Sequence, residues 1–340
     1  MNLRRGSKMD IYAYKNTPEV IEKSSSGGAF SKIANIFSDQ YKDNYSIYGA
    51  AWTENNEIKH IRITQLADLK QFNGSKYARS NIANIFIQVE NDLQNGMAVL
   101  FSGTPCQISG LIHYLAKKNV STRKLLTIDI ICHGTPNPIV LKDFISWIEK
   151  KYKSRVTNIT FRDKSVGWKR YPTQIVLSNG KILRRSYTAQ LYIRMYFSLL
   201  PLDNRCYSCE FSNMERASDL TLGDFWGIDK IMPEVSAEKG VSLVLVNTIK
   251  GQGIIEEIMN TLSSGEELKN YQGREFLNYQ HNLNAPTERP SNYEDFWKLY
   301  KKYGFDYIVR KYGFYTKKGK MKFMIKSALI RFEFFDTRLS

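Results

Sequence analysis

The chain has 340 residues, of which 42% are hydrophobic and 24% charged, a composition typical of a globular protein with room for two cores. No apolar run approaches the roughly 20 residues that cross a bilayer, and no signal-peptide segment follows the first residues, so we expect a cytoplasmic location. The net charge of +16 requires an anionic partner, but no nucleic-acid-binding motif accompanies it, and we expect no nucleic-acid partner.

The first half of the chain alternates between two hydrophobic patterns. Spacings of three and four between apolar residues predict amphipathic helices, and short continuous apolar runs predict strands that are buried on both faces. In chain order the patterns predict a helix over 27–41, a strand over 47–52, a helix over 82–93, a strand over 97–101, a helix over 108–115, a strand over 125–131 and a helix over 138–152. This order is typical of parallel βαβ units, so we expect an α/β fold with a mostly parallel sheet and flanking helices.

The second half mixes antiparallel and helical signals. Asn179 and Gly180 lie between two short apolar runs, a pattern that predicts a hairpin with a type I′ turn and two positive φ angles. Strands are also predicted over 220–222 and 241–247, and a helix over 254–262. We therefore expect a mixed α+β C-terminal half that begins near residue 155.

Cys106, Cys132, Cys206 and Cys209 are the four cysteines of the chain. They are too few and too unevenly spaced for a secreted disulfide framework, so metal binding or redox chemistry is the alternative to core packing. Cys106 and Cys132 each follow a predicted parallel strand, at the edge of the sheet where ligands collect, and Cys206 and Cys209 form a C-x-x-C element. Four thiolates suit a zinc ion or an iron–sulfur cluster, and the spacing does not distinguish the two.

Eight short motifs follow one another over residues 24–250. They are SSGG at 25–28, GSKY at 74–77, GTPCQ at 103–107, CHG at 132–134, FRDK at 161–164, GW at 167–168, CYSC at 206–209 and RASDLTLGDFWG at 216–227. This ordered set resembles the beta subunit family of coenzyme F(420) hydrogenase and dehydrogenase, which also includes 7-hydroxymethyl chlorophyll a reductase. The resemblance implies an oxidoreductase that binds FAD and a 4Fe-4S cluster and transfers electrons between a hydride-type or ferredoxin partner and a substrate.

The resemblance also implies roles for particular residues. The cluster ligands would be Cys106, Cys132, Cys206 and Cys209. The flavin-binding residues would be Ser26, Gly27, Gly28, Ser75, Lys76, Tyr77, Gly103, Thr104, Arg162 and Trp226. The catalytic candidates would be His133, Lys164 and Asp224. Glycine and hydroxyl residues before a helix offer N–H groups and a positive dipole end to a pyrophosphate, and a lysine adds a full charge. The two tryptophans at 168 and 226 have two interpretations, stacking on the isoalloxazine ring or filling the core.

On this resemblance the chain is predicted to contain four segments. They are an N-terminal lead-in over 1–23, a flavin-binding α/β domain over 24–154, a C-terminal domain with the CxxC and GDFWG motifs over 155–270, and a helical basic extension over 271–340. Because the flavin segment is predicted to begin near residue 24, we expect no ferredoxin-like module with further clusters before it. We therefore expect electrons to be exchanged with a ferredoxin or other electron-carrier protein, or with a reduced deazaflavin or nicotinamide.

The basic residues become dense between Lys301 and Arg331, where they alternate with aromatic residues. This pattern is typical of a solvated helical face with a basic tail, and it also suits contact with an anionic partner or a membrane surface. An alternative function for the whole chain is a non-catalytic binding or scaffold protein. Such a protein would be stabilised by zinc or a cluster and would serve the assembly of surface polysaccharide.

Overall fold

The structure is a computed structural model, and it describes residues 9–164, 167–170 and 172–325. The chain divides into two compact units. The first contains Met1–Thr135, Lys164–Arg170 and Asn204–Thr287, and the second contains Pro136–Asp163, Tyr171–Asp203 and Glu288–Ser340. The predicted boundary near residue 155 lies within the second unit. The predicted lead-in up to residue 8 and the predicted basic extension beyond residue 325 lie outside the described residues.

Strands and helices alternate along much of the chain. In chain order the strands are β1 (Asp10–Lys15), β2 (Tyr45–Trp52), β3 (Ile58–Ile63), β4 (Ala98–Gly103), β5 (Leu125–Ile130), β6 (Val156–Thr160), β7 (Gln174–Leu177), β8 (Ile182–Arg184), β9 (Leu220–Asp224), β10 (Ser242–Val246) and β11 (Glu267–Tyr271). The helices are α1 (Pro18–Lys23), α2 (Ala29–Tyr41), α3 (Ile85–Gln94), α4 (Pro105–Lys117), α5 (Pro138–Tyr152), α6 (Leu191–Phe197), α7 (Ile228–Ile231), α8 (Ile249–Asn260) and α9 (Tyr293–Lys311). Within the described parts of the chain, no helix is both long and apolar enough to cross a membrane.

The first unit is built on an eight-stranded sheet, counted over the described residues, in the order β11-β1-β10-β9-β5-β4-β2-β3. Strands β2, β4, β5 and β9 are neighbours and run parallel. Strand β1 shares their direction because it is antiparallel to β10, which is itself antiparallel to β9. The predicted α/β fold with a mostly parallel sheet is therefore confirmed. Five strands that share one direction have their carboxyl-terminal ends at the same side of the sheet, which we name the carboxyl edge: β1, β2, β4, β5 and β9.

Apolar side chains cover both faces of this sheet because successive residues of a strand point to opposite faces. Leu100 of β4 packs with Ile33 of α2 and Ile255 of α8 on one face. Its neighbour Val99 packs with Leu111 of α4 on the other face. All five side chains are buried, with exposed fractions that do not exceed 1%. Burial on both faces explains why these strands are continuous apolar runs in the sequence.

Over its described residues, the second unit contains a three-stranded antiparallel sheet, β6-β7-β8, and helices α5, α6 and α9. Tyr192 of α6 lies between two aromatic rings, with centroid distances of 5.5 Å to Phe144 of α5 and 5.2 Å to Phe161. All three rings are buried. This sheet and its helices confirm the mixed α+β character predicted for the C-terminal half.

The hairpin predicted around Asn179 and Gly180 is present, since β7 and β8 pair in antiparallel fashion. Its predicted turn type is wrong, because Gly180 (φ 79°) has a positive φ and Asn179 does not. The Leu177 N–H donates to the Lys181 carbonyl at 2.9 Å, which leaves a loop of three residues. Three-residue loops need a single left-handed residue, so one glycine is sufficient.

Candidate functional site

The motif residues of the first unit gather at the carboxyl edge. Gly103 ends β4, Cys132 follows β5 by two residues, and Asp224 ends β9. Ser242 begins β10, which runs in the opposite direction, and therefore lies at the same edge as Asp224, its partner in the ladder. Parallel strand ends are where an open sheet binds ligands, and the polar and sulfur-containing side chains of this chain meet there.

All four cysteines belong to the first unit, and none of them forms a disulfide. The pKa of the half-buried Cys132 thiol is raised to about 12, and desolvation by the surrounding protein is the largest cause. Negative charge on Cys106, Cys206 and Cys209 contributes to the rise in that pKa, so all three lie within electrostatic range of Cys132. Cysteines 26 to 77 positions away from Cys132 in the sequence are thus its neighbours in the fold.

Main-chain N–H groups accompany these thiols. The N–H of Gly134 favours the thiolate form of Cys132, and the N–H of Thr135 lies 3.5 Å from the Sγ atom of Cys206. Over the residues that the structure describes, no three His, Cys, Asp or Glu side chains are grouped so that they could hold one metal ion. The four thiols therefore share one neighbourhood without forming the tight tetrahedron of a single-ion site.

Cys106 lies exposed in the first turn of α4, in a turn stiffened by local contacts. The Oγ1 atom of Thr104 is 3.1 Å from the Cys106 Sγ atom. The Thr104 N–H donates to Oε1 of Gln107 at 3.0 Å, which is one half of a capping box. A Cβ atom on Gly103 would lie 3.1 Å from the same Oε1 atom, so the glycine allows the Gln107 side chain to fold back over the turn.

A buried chain of hydrogen bonds extends from this turn and was not predicted from the sequence. The Nε2 atom of Gln107 donates to Ser80 Oγ at 3.0 Å, and Ser80 Oγ is 2.8 Å from His60 Nδ1. His60 Nε2 is 2.9 Å from the carbonyl of Ser102, and the imidazole stacks on Phe101 with a centroid distance of 5.3 Å. Burial lowers the pKa of His60 to about 4, so the ring is neutral and connects the ends of β3 and β4. The only sequence signal for this chain of hydrogen bonds was the position of His60, two residues after Ile58 and therefore on the same apolar face of the strand.

The SSGG segment contacts the sheet through its glycines. A Cβ atom on Gly27 would lie 2.2 Å from the Tyr14 carbonyl and 2.5 Å from the Ser242 N atom, so only glycine fits between β1 and β10. Gly28 has φ 83° and is the N-cap residue of α2. The serines before it do not cap the helix. Ser242 Oγ instead lies 3.4 Å from the N–H of Ala29, because the glycines place the first turn of α2 against β10.

The GSKY segment meets the SSGG segment through a hydroxyl pair, since Ser75 Oγ donates to Ser25 Oγ at 2.9 Å. The half-buried Lys76 places its ammonium group against four main-chain carbonyls of residues 71–74, at distances from 2.9 to 3.4 Å. Burial lowers the Lys76 pKa to about 8. Lys76 therefore organises its own turn, and Tyr77, which follows it, is half-buried.

Lys164 has a comparable position. Its Nζ atom donates to the carbonyls of Ser26 at 2.6 Å, Ile21 at 2.8 Å and Lys239 at 3.0 Å. Lys164, predicted as a catalytic residue, thus stabilises the SSGG segment by a hydrogen bond to the main-chain carbonyl of Ser26. Arg162, two residues earlier, belongs to the second unit, where it is buried.

Asp224 and the two tryptophans form one group. Trp168 Nε1 donates to Asp224 Oδ1 at 3.0 Å. The Trp168 ring stacks on Trp226 with a centroid distance of 4.7 Å and an interplanar angle of 10°. Trp168 is fully buried and fills the core, whereas Trp226 is half-buried. Desolvation lowers the pKa of His133, and the nearby Asp224 carboxylate acts in the opposite direction, so these two catalytic candidates are close together.

Comparison with known proteins agrees with these motifs. The family model for the C terminus of the coenzyme F(420) hydrogenase/dehydrogenase beta subunit matches residues 96–266, half of the chain. The chain belongs to this family. The match contains all four cysteines and the motifs from GTPCQ onward, which confirms the resemblance found in the sequence. Membership in this hydrogenase/dehydrogenase family supports an oxidoreductase-type redox function.

The fold of this chain is also found in a solved structure. It is similar to a chain of the xenon-derivatised F(420)-reducing NiFe hydrogenase complex from Methanosarcina barkeri, with a TM-score of 0.54 and 14% sequence identity. The similarity covers 87% of this chain and 93% of that chain. At this identity the likeness shows the fold alone. No curated protein sequence matches the chain.

Proposed function

We propose that the chain is an FAD- and 4Fe-4S-dependent oxidoreductase that transfers electrons between a hydride-type or ferredoxin partner and a substrate. One observation carries this proposal. Four cysteines from three separate segments meet near Cys132 at the carboxyl edge, in a member of a hydrogenase/dehydrogenase family. Coupling of two-electron and one-electron chemistry is the natural use of a flavin beside a cluster.

The donor set supports a cluster more than a single zinc ion. A tetrahedral zinc site with Zn–S bonds of about 2.3 Å holds its sulfur atoms roughly 3.8 Å apart. The described residues contain no group that could hold one ion, although the four thiols are electrostatic neighbours. In a 4Fe-4S cluster each thiolate binds a different iron atom, so the sulfur atoms lie farther apart. Cys106, Cys132, Cys206 and Cys209 are the proposed ligands.

The flavin would lie against the SSGG and GSKY segments. The N-cap residue of α2, Gly28, has no side chain to cap the helix, and Ser242 Oγ meets only the N–H of Ala29, so the other N–H groups of the first turn and the positive dipole end suit a pyrophosphate. The hydroxyl pair of Ser25 and Ser75 joins the two segments. Gly27 fits tightly against the sheet and so fixes the position of this turn. Gly28, Tyr77, Gly103, Thr104 and Trp226 complete the part of the proposed flavin-binding set that belongs to the first unit.

The FAD, when bound, accepts two electrons as a hydride and releases them singly, and the cluster carries single electrons. His133 and Asp224 are proposed to handle a proton near the substrate as a neighbouring pair; desolvation lowers the pKa of His133 and keeps the imidazole neutral, and the Asp224 carboxylate offsets part of that effect. Lys164 is proposed to hold the Ser26 segment in place through its contacts with three carbonyls.

The partner is proposed to be an electron carrier, either a ferredoxin-type protein or a reduced deazaflavin or nicotinamide. A cytoplasmic location is part of the proposal because thiolate ligands require a reducing compartment.

Anaerobic purification tests this function directly. The expected product is a brown protein with about four iron and four sulfide per chain and releasable FAD. A Cys206→Ser variant should lose the iron chromophore, whereas the matched Ser208→Ala variant in the same loop should keep it. Ser208 is exposed and lies between the two cysteines of the C-x-x-C element. Colourless protein with one zinc ion per chain and no flavin would contradict the proposal and support the scaffold alternative.

The flavin site has its own test. A Ser75→Ala variant loses the hydroxyl that bonds Ser25, so we expect it to release FAD more readily in equilibrium dialysis. An exposed serine of the second unit, Ser291, offers a matched control as Ser291→Ala. Equal retention of FAD in both variants would refute the assignment of the GSKY segment to the flavin.

A second role, contact with an anionic membrane surface, is favoured by the end of the described chain. Residues 317–325 are helical, and they expose Met321 (60%), Met324 (60%) and Ile325 (56%). Four lysines of the same segment are also exposed, at positions 317, 318, 320 and 322. Exposed apolar side chains flanked by lysines are typical of interfacial helices and are not needed to bind a purely ionic partner.

Vesicle sedimentation tests this contact. The protein should co-sediment with vesicles that contain anionic phosphatidylglycerol and not with neutral phosphatidylcholine vesicles. Met321→Asp should weaken binding at unchanged lysine content, and Met259→Asp, at an exposed methionine of α8, is the matched control. Binding that is equal in all three proteins would contradict a membrane contact at this segment.

A further inference from the structure

A buried arginine lies between two of the cysteine-bearing segments. The NH2 atom of Arg216 is 2.9 Å from Asp129 Oδ2, and both side chains are 1% exposed. The same nitrogen donates to the carbonyl of Ile130 at 3.2 Å. On the other side of the guanidinium, NH1 donates to the carbonyls of Phe211 at 2.9 Å and Asn213 at 3.3 Å. Arg216 therefore connects the end of β5 to the loop that follows the C-x-x-C element.

The two ends of this connection lie close to cysteines in the sequence. Ile130 precedes Cys132 by two residues, and Phe211 follows Cys209 by two residues. The remaining donor of Arg216, Nε, is 3.3 Å from Thr221 Oγ1 on β9. One rigid planar group thus binds main-chain carbonyls in two segments, the one that leads to Cys132 and the one that follows Cys209.

The energetics of this pair point to a role beyond stability. A fully buried ion pair gains little net free energy, because removing both charges from water costs about as much as their attraction returns. Such pairs are useful where they fix geometry. The fork of a guanidinium, with five donors in one plane, can hold a carboxylate and several carbonyls at once, and a lysine cannot.

We propose that Arg216 is a positioning residue that, with Asp129, holds the C-x-x-C loop at the separation from Cys132 that the cluster requires. This inference rests on the proposed cluster function. In this proposal, Arg216 acts on the cysteines indirectly, through its hydrogen bonds to the carbonyls of residues 130, 211 and 213. Its loss should therefore loosen the cluster before it unfolds the chain.

The sharpest variant is Arg216→Lys. It retains a positive charge beside Asp129, so the buried carboxylate keeps a partner, but one ammonium cannot also reach the carbonyls of Phe211 and Asn213. Removal of supporting groups around metal ligands typically costs 10- to 100-fold in metal affinity. We expect iron to be lost to a chelator about 10- to 100-fold faster than from the wild-type protein. Asp129→Asn, which is isosteric, is the second variant and should show the same direction of change.

A part-buried ion pair that involves none of the cysteine-bearing segments provides the matched control. Lys32 Nζ and Glu266 Oε2 are 2.7 Å apart, with side chains 12% and 4% exposed, and they join α2 to the residue that precedes β11. Lys32→Met should lower the melting temperature and leave the rate of iron loss unchanged. If Arg216→Lys loses iron at the wild-type rate, or if Lys32→Met accelerates the loss as much, the positioning role is refuted.

A readout without the cluster separates this inference from the proposed function. In metal-free, reduced protein, a short bifunctional maleimide should cross-link Cys132 to the C-x-x-C loop, and mass spectrometry identifies the linked peptides. The wild-type protein should cross-link readily and Arg216→Lys several-fold less. If the wild-type protein contains no iron but the cross-linking difference holds, the cluster fails and the positioning role stands. Equal cross-linking in both proteins overturns the positioning role.

Discussion

The buried His60 predicts a loss of stability in mild acid. Its pKa in the folded chain is lowered to about 4 by burial, against an ordinary value of 6.5. Between these two pH values the unfolded chain binds a proton that the folded chain does not, so the free energy of unfolding falls as the pH falls. For this single group, the fall between about pH 7 and about pH 5 is about 2 kcal/mol.

Other titrating groups limit how the experiment is designed. The carboxylates of Asp92 and Glu266 have lowered pKa values, so the stability that they contribute is lost only below their ordinary values of 3.8 and 4.5. His133, whose pKa is also lowered, acts in the same direction and the same pH range as His60. The contribution of His60 must therefore be taken as the difference between wild type and a variant.

The assay is urea unfolding followed by circular dichroism at about pH 7 and about pH 5. His60→Gln retains a donor for the Ser102 carbonyl and removes the titrating imidazole, so its stability should fall by about 2 kcal/mol less than that of the wild type. His113→Gln, at an exposed histidine of α4, is the control for the loss of an imidazole and should follow the wild type. If His60→Gln and the wild type lose equal stability, His60 does not titrate as its burial requires and the argument fails.

Three further changes test the edges of the sheet. Gly27→Ala places a methyl group 2.2 Å from a main-chain carbonyl, so thermal unfolding should show a loss of about 1–3 kcal/mol, and an unchanged melting temperature would contradict the packing. Asp219→Ala leaves the N–H and hydroxyl of Thr127, both at 2.8 Å from the carboxylate, without their acceptor; denaturant unfolding should show a loss of at least about 2 kcal/mol. Trp168→Phe removes the donor to Asp224, and we expect a loss of about 1 kcal/mol together with reduced tryptophan fluorescence, whereas wild-type stability would argue against this hydrogen bond.

Local signals predicted the elements well where the sequence carries both pattern and boundary residues. Helix α5 runs over Pro138–Tyr152, as predicted, because Asn137 accepts a hydrogen bond from the N–H of Ile139 and proline occupies the first turn. Its other end is set by Lys153 in the left-handed conformation. Periodicity gave no strand before residue 27, yet β1 pairs with both β10 and β11. The partners of this six-residue strand lie more than 200 residues away, and the local pattern does not indicate them.

In the candidate site, too, some residues were predictable from the sequence and others were not. The motifs identified the residue types, and the strand-end rule predicted that Cys106 and Cys132 would lie at one edge of the sheet. The groups that hold those residues were not predictable, because each depends on partners distant in sequence. His60 bonds Ser102 and Ser80, and the Arg216 guanidinium bonds carbonyls that no side-chain pattern encodes.

The two lysines of the candidate flavin site show why residue type alone does not assign a role. From the sequence, Lys76 was expected to face the pyrophosphate, an assignment that stays a prediction, but its ammonium contacts four carbonyls of its own turn. Lys164 likewise contacts three carbonyls. A charge held in this way supports the loops that would surround a phosphate. The N–H groups at the start of α2, which carry the positive end of the helix dipole, then become the groups to which phosphate recognition is best attributed.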